Sequence, residues 1–357
     1  MGKKTKADAA LIQAALSGET RQVLAMLSNF DVAATDAQGN TPLAAAACGG
    51  HLELVRALCE RGAPLEVRNG IGTTPLWLTA GYGHLEVLDC LIGLGCDLNA
   101  PNSTKDTPLL AAVSKGHSAC VERLLAAGSR HLTVNSAGDS PLSLAVAAGN
   151  VAMVKALVTL AGAPTLLKRK NAKGVHPLAL AAAAGNLETM QLLLAAGGSL
   201  EERDANGATP LALAAFCGHA PMVHLLLARD GIDIESPDSS GATPLWLAAS
   251  SGHATCLAAL IQAGANPGVM CCGRTALDAA RVNKHAACLE ILEALPPERL
   301  APLEPPPEGV GESAAAPLGE VDELVTFTSR ATLGLAAAAG EDSDSDGMLE
   351  GVAPEDH

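Results

Sequence analysis

A Thr-Pro dipeptide, or a near variant of it, begins at Thr41, Thr74, Thr107, Ser140, His176, Thr209, Thr243 and Thr275, at spacings of 33, 33, 33, 36, 33, 34 and 32 residues. A period this regular restricts the fold more than any other feature of the chain. A unit of this size cannot bury its own apolar face, so stability requires neighbouring units to stack into one continuous core. Nine residues after each start comes a Gly, replaced by Lys284 in the last unit. The next residue is His51, His84, His117, His219, His253 or His285, with Asn150 and Asn186 as variants. A weaker unit precedes these, with Leu11 and Gly18 in register and Ala9-Ala10 in place of Thr-Pro. The expected array is about nine units between Asp8 and Leu295.

Each unit has a local physical logic. Thr41 can cap a helix, and Pro42, with fixed φ and no N–H to leave unsatisfied, suits the first helical position. Leu43 and Ala44 to Ala47 make a short inner helix with small side chains, which Gly49-Gly50 ends. Leu52, Leu54, Val55 and Leu58 then follow helical spacing on a second helix, ended by Gly62. Residues up to Asn69-Gly70-Ile71-Gly72 have turn chemistry and are expected to project as a finger. The pattern Thr-Pro-Leu-x-x-Ala-Ala-x-x-Gly-His-x-x-x-Val-x-x-Leu-x-x-x-Gly-Ala resembles the ankyrin repeat. The resemblance implies an all-α ankyrin-repeat solenoid of helix-turn-helix units with projecting fingers. The degenerate first unit and the Thr275-Ala276-Leu277-Asp278 unit resemble its end caps.

Composition agrees. Hydrophobic residues are 48% and aromatics only 2%, which suits close-packed helices better than a sheet. No apolar run is long enough to span a bilayer. Met1-Gly2-Lys3-Lys4-Thr5-Lys6 lacks the apolar core of a signal peptide and the Ser or Thr of a myristoylation site. Residues 1–7 read as a flexible basic N-terminus, residues 8–295 as the repeat domain, and residues 296–357 as an acidic, Pro-rich, disordered tail. The tail holds 14 acidic residues against Arg299 and Arg330, a net of −12, leaving −3 of the total −15 for the rest. Neither part has the basic face that neutralises phosphates, so nucleic acid is not an expected partner. Membrane is not expected either. The chain reads as a soluble, monomeric, cytoplasmic protein, with nuclear residence left open.

No constellation for catalysis is present: there is no phosphate loop, no Gly-x-Ser-x-Gly and no His-Glu-x-x-His. No cofactor or metal is expected, because the repeated His are spaced along a line and cannot converge. Cys120, Cys256 and Cys288 share the position of Leu54 and read as core thiols; of the ten Cys, only Cys271-Cys272, adjacent in the last finger, are candidates for exposed, redox-sensitive thiols. Asp342 to Gly347 copies half a calcium loop, but Ala353 stands where Glu is needed. Ser343, with Asp346 three residues on, is a candidate phosphorylation site. Leu91 through Asn99 loosely resembles the context of Asn hydroxylation in ankyrin repeats.

The family resemblance implies that a protein partner binds the concave side, through finger tips and the exposed ends of the inner helices. By register, the seventh and eighth residues after each Thr or its replacement line that surface. Most are small; Tyr82 and Phe216 are the two aromatics among them, with Lys115 also there, and interface energy concentrates in such anchors. Residues just before each Thr (Asn40, Thr73, Asp106, Asp139, Val175, Ala208, Ala242, Arg274) are expected to set polar specificity. Lys168, Arg169, Lys170 and Lys173 crowd the fourth finger, where the spacing stretches to 36, and read either as a solvated loop tip or as a docking point for an acidic partner or for the tail. Trp77 and Trp246 stand where the family has a hydrogen-bonding His, and are expected to pack between repeats instead. The expected function is a non-catalytic interaction module, scaffold or adaptor, modulated by its tail. A rival reading places the activity in the tail segment 321–335 (Leu324, Val325, Phe327, Leu333, Leu335), docking on an enzyme as inhibitor or adaptor.

Overall fold

The computed structural model describes residues 2–160 and 163–302. Among these the chain is helical, with no β-strand. Inner and outer helices alternate: α1 (Gly2–Leu16) and α2 (Thr20–Met26), α3 (Pro42–Cys48) and α4 (Leu52–Glu60), α5 (Pro75–Tyr82) and α6 (Leu85–Gly93), α7 (Pro108–Ser114) and α8 (Ser118–Ala126), α9 (Pro141–Ala147) and α10 (Val151–Leu160). After a short α11 (Ala163–Leu167) the alternation resumes with α12 (Pro177–Ala184) and α13 (Leu187–Ala195), α14 (Pro210–Cys217) and α15 (Ala220–Leu227), α16 (Pro244–Ser250) and α17 (Ala254–Gln262), α18 (Ala276–Val282) and α19 (Ala286–Glu293), closed by α20 (Pro297–Leu300). α1 starts at Gly2, ahead of the Asp8 boundary read from the sequence. The acidic tail beyond residue 302, with Ser343 and segment 321–335, lies outside the described residues. No described helix is long and apolar enough to cross a membrane.

Cap chemistry explains where the inner helices begin. The Oγ1 of Thr41, Thr74, Thr107, Thr209 and Thr243 accepts a hydrogen bond from the N–H three residues on, at 3.1–3.4 Å. Ser140 and Thr275 form reciprocal capping boxes with Ser143 and Asp278. Inner helices stack on inner helices of adjacent units, and outer on outer. The Leu two residues after each cap is fully buried, at no more than 1% exposure for Leu43, Leu76, Leu109, Leu142, Leu178, Leu211 and Leu245. Each such burial stabilises the stack by about 1.5–3 kcal/mol. In the last unit the same position, Leu277, is only half-buried, because no inner helix follows it. Cys120, Cys256 and Cys288 are buried, as their register with Leu54 implies.

The extra three residues of the 36-residue spacing do not lengthen the fourth finger. They form α11, which buries Leu166 and Leu167 ahead of a finger of ordinary length. The sequence cannot separate the two, since Leu166-Leu167 adjoins the basic run without a break.

Three ladders of hydrogen bonds join the units. In the fingers, Asp36, Asn69, Asn102, Asn135, Asn171, Asp204 and Asp238 each accept on Oδ1 from the N–H groups two and four residues on, which fixes the turn. Finger tips are then stitched by single backbone bonds, such as Gly70 N–H to Gln38 O at 2.7 Å and Ser103 N–H to Ile71 O at 3.0 Å. At the opposite edge, the repeated His donates from Nε2 to a carbonyl at the end of the preceding inner helix: His51 to Leu16, His84 to Cys48, His117 to Gly81, His219 to Ala183 and His285 to Ser250, at 2.7–3.0 Å. The preceding unit's Gly makes room for that ring: a Cβ on Gly83, already at φ 79°, would lie 2.5 Å from the His117 imidazole. Asn150 and Asn186 work locally instead, capping their own outer helices by accepting from Met153 N–H and Thr189 N–H at 3.0 Å. The third ladder runs between loop bases, where Glu66, Asn99, Glu201 and Glu235 accept from the N–H groups of Asp97, Arg130, Asp233 and Asn266. Its register positions are taken by Leu132 and Lys168 in the middle of the array.

Candidate protein-interaction surface

The ends of the inner helices present mostly small side chains, with Tyr82 standing out at 43% exposure. Its ring stacks on His84 with centroids 6.5 Å apart and planes within 10°. Its hydroxyl also hydrogen-bonds the Cys48 thiol, which opposes the larger upward push that burial exerts on that thiol's pKa. Tyr82 therefore contacts both its own unit and the preceding one, which reduces the entropy its ring loses on binding. Phe216 is half-buried against the core, and its carbonyl is the hydrogen-bond acceptor for His253. Tyr82 and Phe216 belong to the second and sixth Thr-Pro units. With stacked helices about 10 Å apart, four steps separate them by about 40 Å. They cannot share one pocket, so a partner using both would have to lie along the array. Lys115 is exposed between them, at the end of α7.

The position before each Thr is mostly inside the stack. Asn40, Thr73, Val175, Ala208 and Ala242 are at most 4% exposed, which corrects the expectation that this position faces a partner. The physical reason is the finger turn, which carries its tip outward and returns this residue to the core just before the cap. Asp106, Asp139 and Arg274 are half-buried in the same register. Asp106 accepts from the Thr104 hydroxyl at 2.6 Å, and Asp139 from Asn171 Nδ2 at 3.2 Å. Burial raises the Asp139 pKa, against the Asn171 bond and the nearby Lys173.

Trp77 and Trp246 also depart from expectation. They pack between units, and they hydrogen-bond as well: Trp77 Nε1–H donates to Asp106 O at 3.0 Å and Trp246 Nε1–H to Arg274 O at 3.2 Å. At the fifth cap, His176 is fully buried; its Nδ1 accepts from Ala179 N–H at 3.3 Å while Nε2–H donates to Glu202 O at 2.9 Å. Desolvation lowers its pKa to about 4, the Glu202 backbone bond opposing and Lys170 adding to the shift.

Lys168, Arg169, Lys170 and Lys173 are all exposed. Lys170 Nζ donates to Arg203 O at 2.6 Å, and Lys168 and Lys170 both hold down a Glu202 carboxyl that burial pushes up. Of the two last-finger candidates, Cys271 is buried at 3% exposure and Cys272 is exposed. The spacing of 32 shortens this finger by one residue, so that Cys271 and Arg274 bridge across a two-residue turn with the Cys271 side chain turned inward. Burial, chiefly, pushes Cys59 and Cys256 up to about 11 and Cys96 and Cys271 up to about 12, leaving them protonated near neutrality.

The Asx residue five positions before seven of the eight caps, and the Glu or Asn eight before four of them, were missed in the sequence although their register is plain once the units are aligned on Thr-Pro. The His-to-carbonyl bond leaves no local signal, because its acceptor lies about one unit upstream. Ankyrin repeats, described as a family of three-copy units, match at residues 11–102, 76–166, 142–238 and 231–295. No curated protein matches the chain.

Proposed function

The chain belongs to the ankyrin-repeat family, and from that premise we propose that it is a non-catalytic interaction module of about nine units, within residues 8–295, that binds a protein partner along its concave face. The observation that carries this reading is Tyr82: a large aromatic ring, 43% exposed and contacting His84 and Cys48, on a surface made mostly of small side chains. A shallow surface of Ala, Ser and Gly gives little energy by itself, so an aromatic anchor is where affinity would concentrate. Lys115 and the cluster Lys168, Arg169, Lys170 and Lys173 extend the surface with positive charge, while Asp106 and Asp139 hold the fingers through their carboxylates and Arg274 through its backbone. Phe216 is a second contact for a partner long enough to span four units.

The test is affinity capture from host lysate with the full chain as bait, in parallel with full-chain Tyr82→Ala and Phe216→Ala variants whose circular dichroism matches the parent. A partner held by the parent and lost with Tyr82→Ala supports the concave-face reading. A partner held equally by all three baits refutes it.

A further inference from the structure

We propose that the acidic-apolar segment Glu320–Phe327 of this chain docks on its own array, between the third and fourth fingers. These fingers are adjacent, joined by Ala172 N–H to Ala137 O at 3.1 Å and by Asn171 to Asp139. Two kinds of surface meet there. The first is a hollow of about 310 Å³ lined by Arg130, His131, Leu132 and Thr133, with Leu132 37% exposed. The second is the exposed basic run of the fourth finger, in which Arg169, like Arg130 on the third, makes no side-chain hydrogen bond or ion pair among the described residues. A fitting occupant is a short peptide with closely spaced carboxylates and apolar side chains. Glu320-Val321-Asp322-Glu323-Leu324-Val325-Thr326-Phe327 has that composition, with three carboxylates and four apolar residues in eight. The more acidic run Glu341–Asp346 has no apolar side chain to enter the hollow.

The end of the described chain lies on the correct stripe of the molecule. Arg299 donates to Ala265 O at 3.1 Å, and Ala265, directly after Gly264, occupies the register of Ser129, directly after Gly128 and next to Arg130. The chain therefore leaves the array on the line of finger bases that carries the hollow, three units from the fourth finger. Three steps of about 10 Å make about 30 Å. Residues 303–319 span at most about 55 Å at about 3.3 Å per residue, so they cover the gap with slack. Tethering at this range corresponds to an effective concentration of order mM, so even a weak intrinsic affinity populates the docked state. Docking itself needs no partner. Its regulatory consequence, competition for the basic finger, rests on the concave-face reading above.

The experiment is zero-length carbodiimide cross-linking of the full chain at dilute concentration, with mass spectrometry of the monomer. Expected are links from Glu320, Asp322 and Glu323 to Lys168, Lys170 and Lys173. Their yield should fall roughly fivefold between 0.05 and 0.5 M salt, as the screening length shrinks. The double variant Leu324→Ser/Phe327→Ser, which keeps every charge, should lose them, as should Leu132→Ser on the other side. Links spread evenly over Lys105, Lys155 and Lys284, links concentrated on residues 341–346, links only in dimers, or links unchanged in both apolar variants would each overturn the proposal. Failure of the lysate capture would leave these cross-links untouched, so the two readings fail separately.

Discussion

His176 makes the stability of the array depend on pH in a way that one substitution removes. Its imidazole replaces the Thr hydroxyl at a helix cap, and its Nδ1 must stay unprotonated to accept from Ala179 N–H. The folded state holds the pKa near 4, against 6.5 for the free side chain. Between those values the unfolded chain binds a proton that the folded chain does not, so stability falls as pH drops. The effect is absent well above pH 6.5 and complete below pH 4. At pH 5 the two pKa values give a loss of about 2 kcal/mol, and the full shift is worth about 3 kcal/mol. His253, also lowered, contributes in the same direction, while the raised Glu202 carboxyl opposes it, so the wild-type curve alone cannot isolate His176. The comparison with His176→Thr can, because Thr fills this cap in other units. Urea unfolding of both proteins, followed by far-UV circular dichroism at pH 7.5, 6 and 5, should show the variant gaining about 2 kcal/mol relative to wild type by pH 5, whatever its offset at pH 7.5. Parallel stability curves would refute the reasoning. They would mean that the folded protein accepts the proton, with Nδ1 turning to Glu202 Oε2, now 3.5 Å away.

Two further outcomes follow from the backbone. Lys105 and Lys284 hold φ of 63° and 60° where other units place Gly, so Lys105→Gly and Lys284→Gly should each raise stability by up to about 1 kcal/mol, read as a higher midpoint in thermal unfolding. Gly83→Ala should destabilise by more than Gly116→Ala, by about 2 kcal/mol in the same assay. Both residues have positive φ, but the new methyl at 83 meets the His117 ring at 2.5 Å, whereas at 116 the nearest atom is Asn150 Nδ2 at 3.8 Å. Equal losses at the two sites would show that the His ring is not what reserves the position for Gly.

Local chemistry written once per unit was readable without coordinates. Thr-Pro caps and starts a helix, Ala and Leu fill it, and Gly ends it, each through interactions within a few residues; the 33-residue period then dictates stacking, since no unit can cover its own apolar face. That much determines an all-α array and places Tyr82, Phe216 and Lys115 in register. The tertiary structure decided what depends on the neighbouring unit. Burial of Asn40, Thr73 and Val175 follows from how each finger folds back on the stack. The roles of Trp77 and Trp246 depend on a carbonyl about 28 residues downstream, and those of the repeated His on one about 36 residues upstream. The same three additional residues could have extended a finger or made a helix, and the choice fell to α11 because Leu166 and Leu167 found a core to enter. His176 shows the division most clearly. In the chain it is a missing Thr; only full burial beside Glu202 makes it a neutral cap that acid will break.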